Sequence, residues 1–307
     1  MTESTATVTA ADLREQWYQS EVSVPPISYW SVVRHRFIRN KLGVAALVVL
    51  ILIVAGAIFA PWLSPYDPLI GKPADRLENI FSFSSGHPLG TDEQGRDMLT
   101  RALYGGRLSL LAGFVPTLVA AAVGTIIGTW AGLVRGAVGA ILMRVMDMLY
   151  AFPAILLAIA VGASLGPGLT NTIIAVSIVF IPPVSRIAES ETRKIVTSEY
   201  VEAARLSGAS RMRILRTQLL PNVLNEIIVY SSGLVGVAMI IAASLSFLGL
   251  GSRPPTPEWG YMLESLQGDI YVVPAVVAIP GLFIFLASVT FNTASDALRE
   301  AMDTRLS

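Results

Sequence analysis

Apolar positions in this chain fall in long unbroken runs rather than in alternation or helical stripes. Residues 43–63 carry no charge and are rich in Val, Leu and Ile, and residues 108–134 form a second such run. No Asp, Glu, Lys or Arg occurs between Met148 and Ser185. That stretch is too long for one membrane crossing and is interrupted by Gly166-Pro167-Gly168. It predicts two helices, 141–165 and 169–188, joined by a tight turn. Further runs cover 223–248 and 271–294. A hydrocarbon core of about 30 Å needs about 20 apolar residues as helix, so each run is long enough to cross. Runs without period-2 alternation argue against a β-barrel. The expected fold is an all-α integral membrane protein with six transmembrane helices.

Charge sets the orientation. Basic residues at 14, 34–41, 135–144, 186–216 and 299–305 fall on one side of the predicted spans. Lys72, Arg76, Arg96, Arg101, Arg107 and Arg253 fall on the other, a division of roughly 16 to 6. The positive-inside rule then places both termini in the cytoplasm and the loops 64–107 and 249–270 outside. The expected organisation is a polar cytoplasmic arm (1–31), a first helix with its external loop (32–107), a five-helix core (108–294) and a cytoplasmic tail (295–307). Within the core, residues 189–222 form a cytoplasmic loop. Pro25-Pro26 interrupts the arm, and Trp17, Tyr18, Tyr29 and Trp30 are candidates to hold it at the membrane interface.

Composition narrows the function. The chain is 53% hydrophobic and 14% charged, with Lys+Arg 22 balanced by Asp+Glu 22. It has no cysteine and only two histidines, His35 and His87. Disulfides, thiolate metal sites and histidine-rich metal sites are thereby excluded. Gly71-Lys72 lacks the upstream glycine of a phosphate-binding loop, and no nucleophile elbow is present. Ion-coupled carriers bury ionisable groups along their path. The nearest candidates here, Arg144 and Asp147, have the i, i+3 spacing of a local ion pair at the membrane edge. Energy for any transport is therefore expected from elsewhere. Gly124, Gly128 and Gly132 make a small-residue stripe for close helix approach. Pro116, Pro153, Pro182, Pro183, Pro274 and Pro280 fall inside predicted spans as kink sites.

The most informative segment is the loop at 189–222. Glu202-Ala203-Ala204 predicts a short helix of little bulk. Gly208 permits a reversal. Arg211, Arg213 and Arg216 follow on a second helix that ends near Pro221, where a bend precedes the next span. Taken alone, it could be a docking element, but an ordinary amphipathic linker is the better reading. The segment resembles the EAA motif of ABC importer permeases, through Glu202, Ala203, Ala204, Gly208, Leu220 and Pro221. It departs at Gln218, where isoleucine is common. The resemblance implies a coupling helix seated in a cleft of an ATPase subunit, with rigid-body alternating access.

Two more segments resemble signatures of the C-type permeases of dipeptide, oligopeptide and nickel importers. One runs from His87-Pro88-Leu89-Gly90 through Asp92, Glu93, Arg96 and Asp97. The other runs from Ser246 to Gly251 and on to Pro257-Glu258-Trp259-Gly260. In the first, the charges are set either to pair with each other or to meet a partner. In the second, Trp259 is set to anchor at the interface or to shape a pathway mouth. The resemblance implies a type I importer permease in the inner or plasma membrane. It further implies a second homologous permease, ATP-binding subunits and an extracytoplasmic substrate-binding protein. Any ATP and magnesium would then sit on the partners, with no cofactor and no catalysis on this chain. Short peptides are the expected cargo, with nickel chelate, haem and glutathione as family alternatives and a secondary carrier or channel as the alternative of another class.

Overall fold

The structure is a computed structural model that describes residues 29–81, 86–134 and 136–302. The arm through Ser28, with Trp17 and Tyr18, lies outside the described residues, as do Arg135 and Arg305. Among the described residues the regular elements are helices. Helix α1 (Tyr29–Arg39) leads into α2 (Lys41–Ile58), and α3 (Ala60–Leu63) follows after Phe59. A loop then reaches α4 (Met98–Leu133). Next come α5 (Ala137–Tyr150), α6 (Ala154–Leu165), α7 (Leu169–Val196) and α8 (Glu199–Leu206). The chain ends with α9 (Arg211–Ile214), α10 (Leu220–Phe247), α11 (Trp259–Leu266) and α12 (Pro274–Met302).

Among the described residues, five helices are individually long and apolar enough to cross a membrane. The segment expected as one helix over 141–165 is instead the pair α5 and α6, bent by 93°, which forms either a broken span or a re-entrant loop. Pro153 is the reason. It stands at the N-cap of α6 and supplies no N–H, so α5 closes at Tyr150 and a new helix starts at Ala154. Gly166-Pro167-Gly168 does form the tight turn into α7, pinned by Gly168 N–H donating to the Leu250 carbonyl (3.1 Å). Pro116, Pro182, Pro183 and Pro280 lie inside helices, and Pro274 opens α12.

Helix α7 is the centre of the bundle and touches α4, α5, α6 and α10. Its contact with α4 has almost no side-chain layer. A Cβ added at Gly128 would lie 2.1 Å from the Ser185 carbonyl oxygen. Added at Gly124 or Gly132, it would lie 2.7 Å from Val184 or 2.8 Å from Thr192. The stripe therefore packs on one face of α7, backbone to backbone. Ala120, Val176, Val184, Ile227, Ile241 and Leu245 continue this core. Peripheral α2 crosses α12 at Gly43, where a Cβ would lie 2.3 Å from that of Ala297.

Helix α4 begins ten positions before the apolar run. Its extra turns carry charge, and each charge is matched. Asp97 caps α4, accepting from the Thr100 N–H (2.7 Å) and hydroxyl (2.6 Å). Arg107 donates to the carbonyls of Ala57 (2.7 Å) and Ile58 (2.8 Å), closing the end of α2. Arg101 donates to the Pro68 carbonyl at 2.7 Å and lies 3.2 Å from Asp92.

The charges of the loop before α4 pair with each other. Asp92 accepts from Arg96 Nε (2.6 Å) and from the backbone N–H groups of Gln94 and Arg96. Arg96 also reaches Glu93 at 3.2 Å, and His87 Nδ1 sits 2.9 Å from Asp97. Asp92, Arg96 and Arg101 are each 1% exposed. Burial, aided by the Asp92 charge, holds the Glu93 carboxyl above its usual range.

Trp259 is held inside the bundle rather than on its surface. It is 1% exposed, and its Nε1 donates to the Ala102 carbonyl at 2.8 Å. Gly105 and Gly106 leave room for its ring against α4. Glu258 caps α11 through the N–H groups of Gly260 (2.9 Å) and Tyr261 (3.0 Å) and accepts from Ser109 (3.1 Å). The loops before α4 and before α11 are thus one buried lobe built on the first turns of α4.

Two consequences are measurable by thermal unfolding of the purified protein. Gly128→Leu overpacks the α4–α7 contact and lowers stability by about 1–3 kcal/mol, appearing as a reduced Tm. Gly268→Ala, where an added Cβ meets nothing within 4 Å, leaves Tm unchanged. Asp92→Asn strands two buried guanidinium groups and costs about 3–5 kcal/mol. An unaltered Tm for Asp92→Asn would show that the outer pair does not hold the lobe.

Candidate functional site

The loop expected to carry the mechanism folds as a compact unit below α7. Val196 ends α7, and α8 starts at Glu199. The Ser198 carbonyl accepts from the N–H groups of Val201 and Glu202, both at 3.1 Å. Glu199 and Glu202 lie in the first turn of α8, where negative charge favours the helix dipole. The helix ends in a left-handed turn. Gly208 has φ +82°, and the Ala209 N–H donates to the Ala204 carbonyl at 3.0 Å. Glycine is needed here for backbone conformation, because a Cβ would meet nothing within 4 Å.

One face of α8 is fixed and the other is bare. Val201 is fully buried with Val196, Ile214 and Leu219, and Ala209 and Leu215 pack around them. Glu202, Ala203 and Gly208 are exposed, and Ala204 is half-buried. Leu206 is 85% exposed and Tyr200 50%. Leu220 is half-buried and Pro221 exposed, on the helix that follows. The structure therefore ties the two halves of the motif through the Val201 cluster. Val201 and Leu206 stand out only here. In the sequence, Val201 is a lone apolar residue between two glutamates' turns, and nothing marks Leu206 as uncovered.

The second helix of the loop does not end at Pro221. The chain is helical without a break from Met212 to Phe247. Pro221 has no N–H for the preceding turn, and its ring crowds the carbonyl four residues back. The backbone widens to a π-helix over Leu215–Leu219, and the Leu220 N–H donates to the Leu215 carbonyl. That extra residue accommodates the proline. The expected bend is thereby replaced by a continuous lever 36 residues long.

The local Arg144–Asp147 pair also gives way. Asp147 pairs with Arg186 of α7, joining α5 to α7. Arg144 is exposed. The bend between α5 and α6 opens a cleft of about 430 Å3. Tyr150, Phe152, Phe180, Pro183 and Tyr230 line it.

The family profile described as "Binding-protein-dependent transport system inner membrane component" matches residues 124–307. That described as "N-terminal TM domain of oligopeptide transport permease C" matches residues 28–79. The glutathione transport system permease protein GsiD of Pectobacterium atrosepticum is 43% identical over 277 residues, covering 90% of this chain and 91% of that one. The protein of the same name from Escherichia coli O6:K15:H31 is 42% identical over 286 residues, covering 93% and 92%. Among solved structures, inward-facing conformations of the MetNI methionine ABC transporter align with TM-score 0.53 and 18% identity. That alignment covers 66% of this chain and 97% of the other, and shows a shared fold. The chain is a multi-span permease subunit of an ABC importer, a member of the binding-protein-dependent transport system inner membrane component family.

Proposed function

We propose that this chain and a second homologous permease form the membrane pathway of an ATP-driven importer of short peptides, glutathione among them. The observation that carries the cargo is the likeness to permeases named for glutathione transport, which extends over nine-tenths of both chains. Glutathione is itself a tripeptide, so it falls within the short-peptide class that the outer-loop motifs suggest. A pathway poor in fixed charge suits cargo held by backbone and aromatic groups.

In this reading the bare face of α8, with Glu202, Ala203, Ala204 and Gly208, sits in a groove of an ATP-binding subunit. ATP and magnesium act there, and an extracytoplasmic binding protein delivers cargo to the opposite side. When the ATPase pair closes, α8 moves with it. The buried Val201 cluster passes that motion to the end of α7 and, through Leu219, Leu220 and Pro221, to the 36-residue lever. The motion is a rigid-body rearrangement rather than a local one. Both termini and α8 lie in the cytoplasm.

Three measurements check these points. Ala203→Asp puts a charge on the exposed face without touching the Val201 cluster. It is expected to abolish ATP-dependent uptake in membrane vesicles while leaving the amount of protein unchanged. Gly208→Asn, which tolerates the left-handed turn, keeps most transport, whereas Gly208→Trp loses it. Normal uptake by Ala203→Asp would remove α8 from the coupling path. The chain has no cysteine, so single replacements give clean labelling. Leu206→Cys is expected to react with an impermeant maleimide only from the cytoplasmic side, and Tyr271→Cys only from outside. The reverse pattern would invert the orientation. For cargo, unlabelled dipeptides are expected to compete with labelled glutathione for uptake. Competition by a nickel chelate or haem but not by peptides would contradict the assignment.

A further inference from the structure

The cleft at the bend between α5 and α6 has an ion pair beside it. Asp147 and Tyr150 are three apart on α5, and Phe180, Pro183 and Arg186 follow at the same spacing on α7. Residues so spaced share a helix face, so the Asp147–Arg186 pair stands one turn from the aromatic lining. Tyr230 of α10 bounds the cleft from a third helix. Tyr150 is 61% exposed and Phe152 59%. Arg186 is exposed and Asp147 half-buried, so the pair joins α5 to α7 without being sealed.

The bend also leaves backbone groups without helical partners. The N–H groups in the first turn of α6 have none within that helix, and Pro153 at the N-cap offers them no side chain. Pro183 has no N–H, so the Val179 carbonyl, four residues back, loses its helical donor. Val179 and Pro183 both line the cleft. The helix pair is apolar enough to enter the membrane, whether it spans or re-enters. Irregular backbone there is tolerated only where protein buries it or water reaches it. Ala151, Phe152 and Pro153 are all exposed, so this chain does not bury the bend.

Aromatic rings, backbone donors, a free carbonyl and one charge of each sign thus surround a cleft of about 430 Å3. That volume is within the range of small-ligand sites. A short zwitterionic peptide has the complementary set: amide groups, an ammonium and a carboxylate. We propose that this cleft is the cargo subsite of the chain, an assignment that rests on the peptide-importer reading. The peptide's ammonium meets Asp147, and its carboxylate meets the Arg186 guanidinium. The body of the peptide lies against Tyr150, Phe180 and Tyr230. Cargo replaces the Asp147–Arg186 contact with two of its own, so its binding bears directly on how α5 is held to α7.

The test uses the photoreactive dipeptide alanyl-benzoylphenylalanine, with the complete complex and its binding protein in membrane vesicles. ATP-dependent uptake is measured in the dark, and adducts are mapped by mass spectrometry after irradiation. Adducts are expected on the cleft lining, at Tyr150, Phe152, Phe180 or Tyr230. Asp147→Asn with Arg186→Gln leaves a neutral pair able to hydrogen-bond between α5 and α7. It is expected to lower the adduct yield by about fivefold or more at an unchanged amount of assembled complex. Arg186→Lys retains most of the yield. Wild-type uptake with adducts only elsewhere, or an unchanged yield in the neutral variant, would overturn the subsite and leave the importer reading standing. Absence of ATP-dependent uptake by wild type would overturn both. Benzoylphenylalanine at Tyr230 might instead crosslink to the second permease regardless of added alanylalanine; that result would show the cleft filled by protein and overturn the subsite as well.

Discussion

The close crossing of α4 and α7 is the constraint on which the rest of the structure depends. In lipid there is no hydrophobic gain in pressing two apolar helices together, so packing must supply the attraction. Glycines at 124, 128 and 132 remove the side-chain layer, and α7 settles on α4 through Val184, Ser185 and Thr192. Once seated, α7 has a fixed depth. Its 28 residues are more than a bilayer needs, so its end projects beyond the apolar zone and carries α8 with it. The position of α8 is therefore set at a glycine stripe several turns away.

The two ends of the molecule handle polarity in opposite ways. At the end where α4 begins, charges are turned inward and neutralised by one another, as Asp92, Arg96 and Arg101 show. Breaking one partner there leaves the others buried, so the lobe is held as a unit. At the α8 end, charge and apolar groups are left uncovered. Leu206, Tyr200 and Met212 are exposed beside Glu202, Arg205 and Arg213. A surface of that kind fits a subunit assembled from partners, and it contrasts with the self-contained outer lobe.

Much of this was legible in the residues. Uncharged runs of about twenty residues locate the crossings, and Gly166-Pro167-Gly168 locates the turn between α6 and α7. Where charge or proline entered, pattern alone misled. Helix α4 starts at Met98 because Arg101 and Arg107 find carbonyls 33 to 50 positions away in sequence, and Arg101 also finds Asp92. Pro153 breaks its span whereas Pro221 does not, since a π-helix next to Pro221 absorbs the missing donor. Asp147 pairs across to Arg186 rather than along its own helix, because tertiary approach outweighs a weak i, i+3 preference. The motif at Glu202–Pro221 could be named by resemblance. Which of its residues are bare and which are buried needed the fold, for Val201 and Ala203 have similar neighbours in the sequence.

The central claim is that the exposed face of α8 meets an ATP-binding subunit. The most direct measurement places a photoreactive benzoylphenylalanine at Leu206, which is 85% exposed, in the complete complex in native membranes. Irradiation followed by mass spectrometry of the adduct identifies the neighbour. The account predicts a crosslink to an ATP-binding subunit whose yield changes when a non-hydrolysable ATP analogue closes the nucleotide sites. A crosslink to lipid alone, or to an unrelated protein with ATP-binding subunits present in the preparation, would contradict it.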